Sequence, residues 1–180
     1  MTNVVITYIV TTEMSKLKDE IGKQSDFESQ ELEAFLNLLR TSSQLMAEVE
    51  ELLRPAGISG TQYNVLRILR GMGATDTQNG VPCGEVAQRM VTRDPDITRL
   101  LDRMERAGLI VRARSRQDRR VVKTAITAEG LKVLKKLDQV IVELHERQLK
   151  HLGERKLKVL IGLLEEVREA HRRINHDQHN

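Results

Sequence analysis

At 180 residues, with a formal net charge of +3, 31% charged and 39% hydrophobic residues, the chain is sized for one domain or two small ones. No apolar run approaches the roughly 20 residues a membrane helix needs, and a single cysteine, Cys83, excludes an intrachain disulfide, so a soluble protein of the reducing cytoplasm with no membrane partner is expected. Four aromatic residues, Tyr8, Phe27, Phe35 and Tyr63, and no tryptophan leave little with which to stack single-stranded bases.

The opening VVITYIV, residues 4–10, follows no basic segment and precedes no small-residue cleavage site, so it reads as an extra strand or a free tail. Residues 1–28 are therefore set apart as an N-terminal extension. From Gln30, Leu32, Phe35, Leu38, Leu39, Leu45, Met46, Val49, Leu52 and Leu53 recur at helical spacing until Pro55 and Gly57 interrupt the pattern. The segment SGTQYNVLRILRGMG predicts a second helix, capped by Ser59 or Thr61 and closed by Gly71 and Gly73. A polar loop, GATDTQNGVP, carries an Asn-Gly turn signal at Asn79 and Gly80.

A short helix is expected over Gly84 to Met90, with Val86, Ala87 and Met90 inward. The next segment, VTRDPDITRLLDRMERAGLI, predicts a helix with a cap at Thr92 or Asp94, Pro95 in its first turn, and Ile97, Leu100, Leu101 and Met104 inward. Gly108 ends it. Leu109 to Ala113 and Val121 to Ile126 are β-prone runs around a charged connection, which reads as a hairpin. Thr127 heads a long helix with Glu129 in its first turn, a break falls near HLGER, and Lys156 to Arg173 forms the last helix.

This order of elements defines a mainly α fold of the α+β type: a winged helix-turn-helix flanked by N- and C-terminal helices. The divisions are 29–57 for the first dimerisation helix, 58–127 for the winged region, 128–175 for the C-terminal dimerisation helices and 176–180 for a tail. The terminal helices carry more apolar stripe than the central core can cover. Either a second copy of the chain covers it, giving a homodimer, or the three helices bundle within one chain.

The basic charge is concentrated: from Glu85 to Lys123, eleven Lys/Arg face six Asp/Glu, while the rest of the chain is slightly acidic. Five arginines fall within the nine residues from Arg112 to Arg120. At a hairpin tip, Arg114, Arg116, Arg119 and Arg120 would repel one another in free solution, and the phosphate-lined grooves of duplex DNA would offset that repulsion. Arg120 is expected in the minor groove, with a solvated turn as the alternative reading. Asp118 is expected to pair with a neighbouring arginine and support the wing.

The helix after Thr92 is the second of the helix-turn-helix pair and should enter the major groove, presenting Arg93, Asp94, Asp96, Thr98, Arg99 and Arg103. Arg93 and Thr98 are expected near bases and Arg99 on phosphate. Ser59, Thr61 and Gln62 stand at a helix start, where free N–H groups suit a phosphate oxygen, and plain capping is the competing role for the two hydroxyls.

SGTQYNVLRIL, VAQRM, ITRLLDRMERAGLIVR, and above all DRR followed by ITAEG together resemble the MarR family of winged-helix transcriptional regulators, from about Glu31 to Arg173. The resemblance likens Arg120 to the family's wing-tip arginine and Asp118 to its supporting aspartate. It implies a homodimer bound to a pseudo-palindromic operator in double-stranded DNA, and a repressor that releases DNA when a small aromatic or phenolic anion binds. Two features depart from the pattern: the segment Gly71 to Pro82 is longer than usual, and Cys83 does not lie where oxidant-sensing members keep their cysteine, so a structural thiol is expected.

No nucleophile or paired acid–base spacing points to an enzyme, and no cofactor motif is present. His171, His176 and His179 cluster near Asp177, but a five-residue step does not put the first two rings on one helical face, so no metal site is expected. The alternative function is a protein-interaction module of the same fold, gripping an acidic partner.

Overall fold

The computed structural model describes residues 16–92 and 96–177, with side chains to residue 173. The chain divides into two compact units, Met1–Met46 and Ala47–Asn180.

In the first unit, α1 (Lys16–Glu20) buries Leu17. Ion pairs Lys18–Asp26 (2.6 Å), Lys23–Glu28 (3.1 Å) and Arg40–Glu20 (3.3 Å) tie the segment together. The helix α2 (Gln30–Leu53) begins here and runs into the second unit. Its Leu32, Phe35, Leu38, Leu39 and Met46 are exposed, as the surplus apolar stripe in the sequence leads one to expect.

The second unit holds the rest: α3 (Gly60–Gly71), β1 (Val81–Pro82), α4 (Cys83–Arg89), α5 (Ile97–Arg106), β2 (Ile110–Arg114), β3 (Val122–Ile126), α6 (Ala128–Leu149) and α7 (Gly153–Asp177). Its core joins Leu53 of α2, Val65, Leu66 and Leu69 of α3, Val86 of α4, Leu100, Leu101 and Met104 of α5, Ile110 and Ile126 of the hairpin, and Leu134 and Leu144 of α6. Ala87, expected inside, is only half-buried, because the short α4 turns Val86 and Met90 to the core instead.

The sheet is antiparallel with order β1-β3-β2, and Arg112 of β2 stands opposite Thr124 of β3. The hairpin lies where the sequence puts it, within one residue at the strand starts. The third strand, β1, is the surprise: two residues long and containing Pro82, it has no alternation to betray it and exists because Val81 pairs with Thr124.

One local reading is corrected. The helix α5 starts at Ile97 with Asp96 as its cap, not Thr92; Asp94 and Pro95 lie outside the described residues. The chain bends over residues 76–79 beside the expected Asn79-Gly80 turn signal, without a positive φ at either residue, and Gly80 is needed because a Cβ would stand 3.0 Å from the carbonyl oxygen of Thr124.

Thr127 caps α6: its Oγ1 accepts from Gly130 N–H (3.1 Å) and donates to the carbonyl of Gly108 (2.7 Å). One hydroxyl thus joins the end of α5, the foot of the wing and the start of α6. No helix among the described residues is long and apolar enough to cross a membrane.

Candidate nucleic-acid interface

The reading helix α5 is ten residues long and strongly two-sided. Leu100, Leu101 and Met104 are buried, while Thr98, Arg99 and Arg103 are exposed on the other side. Asp96 is spent at the helix start: its Oδ1 accepts from Arg99 N–H (3.1 Å) and its Oδ2 pairs with Arg99 Nε (3.0 Å). The carboxylate both caps the first turn and holds the Arg99 side chain. Arg93 lies outside the described residues. At the other end Gly108 adopts φ 70°, which lets Leu109 N–H return to Met104 O (3.0 Å) and turns the chain into β2. The turn before α5 is anchored from α3, where Asn64 Oδ1 accepts from Val91 N–H (2.9 Å).

The wing tip closes by backbone and short side-chain bonds. Ser115 N–H donates to Val121 O (2.8 Å), Val121 N–H to Asp118 O (3.0 Å), and the largely buried Ser115 Oγ accepts from Gln117 N–H (3.2 Å). Asp118 supports the turn in a different way from that expected. Its Oδ1 accepts from the backbone N–H of Arg120 (2.9 Å) and, among the described residues, it pairs with no guanidinium, because the flanking arginines point outward. Arg114 donates to Arg119 O (3.3 Å). The side chains of Arg103, Arg116, Arg119 and Arg120 are exposed and have no hydrogen-bond or ion-pair partner among the described residues.

At the start of α3, Ser59 and Gln62 form a reciprocal capping box: Gln62 N–H donates to Ser59 Oγ (3.3 Å) and Ser59 N–H to Gln62 Oε1 (2.9 Å). The Thr61 hydroxyl is shared with Ser59 (2.9 Å), and Glu50 accepts from Gly60 N–H (2.8 Å). The cap is satisfied from inside the protein, and a carboxylate already stands beside it.

Sequence reasoning missed Arg112. It does not join the outward arginines; it is half-buried between β2 and α5, with Nε and Nη2 on Glu105 Oε2 (3.0 and 2.8 Å) and Nη2 also on Asp102. The signal was available in strand alternation, since Arg112 shares a face with buried Ile110. A second link, Arg70 to Asp138, joins α3 to α6 through two parallel bonds of 2.8 and 2.6 Å, and the Arg70 guanidinium holds the Asp138 carboxyl below the usual carboxylate range.

Cys83 lies at the foot of the wing, where its thiol meets Val122 O and Thr124 Oγ1, both at 3.4 Å. It lines a cleft of about 430 Å³ that also touches Thr98, Arg112 and Arg120. Among the described residues no group of three or more His, Cys, Asp or Glu is placed to hold a metal ion.

A helix-turn-helix whose second helix stands beside a hairpin with unpaired arginines at its tip is the reading head of a winged-helix DNA-binding protein. The family model described as "MarR family" matches residues 58–122, from the cap of α3 to the end of the wing tip. A MarR transcription factor from Planctomyces limnophilus is 41% identical, with 78% of this chain and 98% of that one covered and a TM-score of 0.58. The transcriptional repressor CouR, solved bound to a 23-mer DNA duplex, is 25% identical over 79% of this chain and 99% of its own, with a TM-score of 0.64. NadR, solved with 4-hydroxyphenylacetate, is 28% identical over 80% and 95%, with a TM-score of 0.59. The chain belongs to the MarR family of DNA-binding transcriptional regulators.

Proposed function

We propose that this regulator is a homodimeric repressor that recognises a pseudo-palindromic operator and is released by a small aromatic or phenolic anion. The observation that carries the DNA contact is the set of exposed arginines without partners, Arg103 on α5 and Arg116, Arg119 and Arg120 on the wing. Such a cluster is self-repelling in water and is relieved by phosphate.

In this reading α5 enters the major groove with Thr98 and Arg93 toward bases, and Arg99 and Arg103 toward the backbone. Asp96 acts through Arg99, whose guanidinium it orients. Arg114, Arg116 and Arg119 line the backbone beside the wing, and Arg120 enters the minor groove with Asp118 holding its backbone. At the start of α3, Thr61 is the candidate for phosphate, while Ser59 and Gln62 serve mainly to hold that helix start through their reciprocal bonds.

The homodimer is supported by apolar surface in both units: Phe35 and Leu39 of α2, and Ile161, Leu163 and Val167 of α7 are more than half exposed. Two-fold related heads must lie about 34 Å apart to meet successive major grooves, so a ligand that alters that spacing releases DNA. The complexes of CouR with DNA and of NadR with 4-hydroxyphenylacetate support both halves of the reading.

Selection of bound duplexes from a random pool tests it. A two-fold symmetric consensus is expected; enrichment of no duplex, or of an asymmetric half-site alone, would overturn the dimeric operator.

A further inference from the structure

The loop between α3 and β1 is polar but firmly built. Ile126 N–H donates to Ala74 O (2.8 Å), Val81 and Pro82 pair with Thr124 and Lys123, and Lys123 Nζ donates to Gln78 O (2.7 Å). Its own turn is set by Asp76, whose carboxylate accepts from Gln78 N–H (2.8 Å), Asn79 N–H (2.9 Å) and Asn79 Nδ2 (3.0 Å). The loop is therefore stitched along β3 and fixed against the hairpin.

Between the loop and the hairpin lies a cleft of about 370 Å³ bordered by Thr77, Gln78, Arg114, Arg116, Gln117 and Lys123. Three cations line it and no carboxylate does. Arg116 has no partner among the described residues, Arg114 gives one N–H to a backbone carbonyl, and Lys123 gives one of its three N–H bonds to Gln78. Asp76, on the same loop, carries a negative charge near Lys123. Its carboxyl is held below the ordinary range first by the Asn79 backbone N–H, then by the Asn79 side chain, with a smaller contribution from Lys123, so it offsets one of the three positive charges.

Strand alternation fixes which side this is. Arg112 reaches α5, so its neighbour Ala113 and the facing Lys123 lie on the opposite side of the hairpin, turned away from the reading helix, while Arg114, which shares the Arg112 face, borders the cleft from the end of β2. A ligand there lies outside the stretch covered by α5.

We propose that this cleft holds a phosphate group, and that in the DNA complex the group is a backbone phosphate flanking the segment that α5 and the wing tip contact. The proposal rests on the DNA-binding reading above. The chemistry fits: guanidinium forks and an ammonium meet the several oxygens of a phosphate, and the Thr77 hydroxyl and the Gln78 and Gln117 amides add neutral donors. A free phosphate-bearing small molecule offers the same chemistry, and the test separates the two sources.

Wild-type chain, Lys123→Gln and Lys123→Arg are compared on the selected operator in a long duplex and in one trimmed to the α5 and wing-tip footprint. On the long duplex Lys123→Gln should lose about 0.9 in the slope of log affinity against log salt, and Lys123→Arg, which keeps the charge, should keep the wild-type slope. On the trimmed duplex wild type and Lys123→Gln should bind alike. In parallel, inorganic phosphate is titrated into the free protein while the amide resonances of Thr77, Gln78 and Asn79 are followed. A saturable shift lost in Lys123→Gln, with unchanged slopes on DNA, supports the phosphate site and assigns it to a free ligand. Unchanged slopes and no saturable shift overturn the proposal. Wild-type protein that binds no duplex at low salt overturns the regulator reading instead, and the phosphate titration then decides the cleft alone.

Discussion

Arg112 grips Glu105 from both its side chain and its backbone: Nε and Nη2 reach Oε2 at 3.0 and 2.8 Å, while Arg112 N–H donates to Oε1 at 3.0 Å. The carboxylate is therefore fixed at both oxygens, and the first strand of the wing cannot turn without turning the last helical turn of α5. Asp102, one turn earlier on α5, is held by the same guanidinium. Arg112 thus sets the angle between the two elements that meet DNA. Replacing it by alanine leaves two carboxylates facing each other and should cost about 1–2 kcal/mol of stability, the ordinary range for charged hydrogen bonds being reduced because both acids are partly exposed. At temperatures where Arg112→Ala remains folded, preference for the operator over random duplex should fall while the salt slope stays that of wild type. A slope lowered by about 0.9 with preference intact would make Arg112 a phosphate contact instead.

Gly130 stands in the first turn of α6 where a Cβ would lie 2.8 Å from Ile126 Cγ1 and 3.1 Å from Leu66 Cδ2, with Leu109 O closer still. Here α6, α3 and the foot of the wing approach closely. Gly130→Ala should destabilise by about 1–3 kcal/mol through overpacking, despite the better helix propensity of alanine. Gly162, in α7, meets nothing within 4 Å, so Gly162→Ala should gain up to about 1 kcal/mol. Urea unfolding of the two variants checks the pair, and equal effects of the same sign would show that propensity alone governs both sites.

The contrast between these positions explains what the sequence made legible. Apolar periodicity located α2, α3, α5, α6 and α7, and Ser59 and Thr127 proved to be caps, because each of these signals is local. β1 was invisible since its pairing depends on Thr124, more than 40 residues away, and the role of Gly80 follows from that same approach. At the site, the outward arginines of the wing could be read from their crowding, whereas Arg112 is told apart from them by the strand alternation that puts it on the face of buried Ile110, a signal that the crowded run masks. Asp118 was identified as a support, but a carboxylate chooses between a guanidinium and a backbone N–H by turn geometry, which composition does not carry.

Asp138 makes stability depend on pH through Arg70. The Arg70 guanidinium, by hydrogen bond and then by charge, lowers the folded-state pKa of Asp138 from its ordinary 3.8, against a raising effect of burial. The unfolded chain therefore binds the proton more readily, so the contribution is complete above 3.8 and is lost as pH falls through the lower folded value. Asp138→Asn should unfold more easily than wild type at neutral pH, and the gap should narrow as the pH drops below that range. Denaturant titrations across the acid limb measure it, and a gap independent of pH would mean that the ion pair contributes nothing beyond its neutral hydrogen bonds.

Arg120 and Asp118 form the last pair to separate. The Asp118 carboxylate holds the Arg120 backbone N–H at 2.9 Å, while the Arg120 side chain is exposed and without a partner among the described residues. Truncating the side chain and releasing the backbone should therefore have different signatures. Arg120→Ala should lower the salt slope by about 0.9 and weaken operator binding with no change in the unfolding midpoint. Asp118→Asn keeps an oxygen acceptor for the turn and removes a negative charge near the phosphates, so it should bind at least as tightly as wild type. Asp118→Ala loses the acceptor, frees the turn, and should bind more weakly than Asp118→Asn even though the two have the same charge. Equal binding by these two Asp118 variants would show that the carboxylate acts only through its charge and that the held backbone of Arg120 has no part in placing the wing.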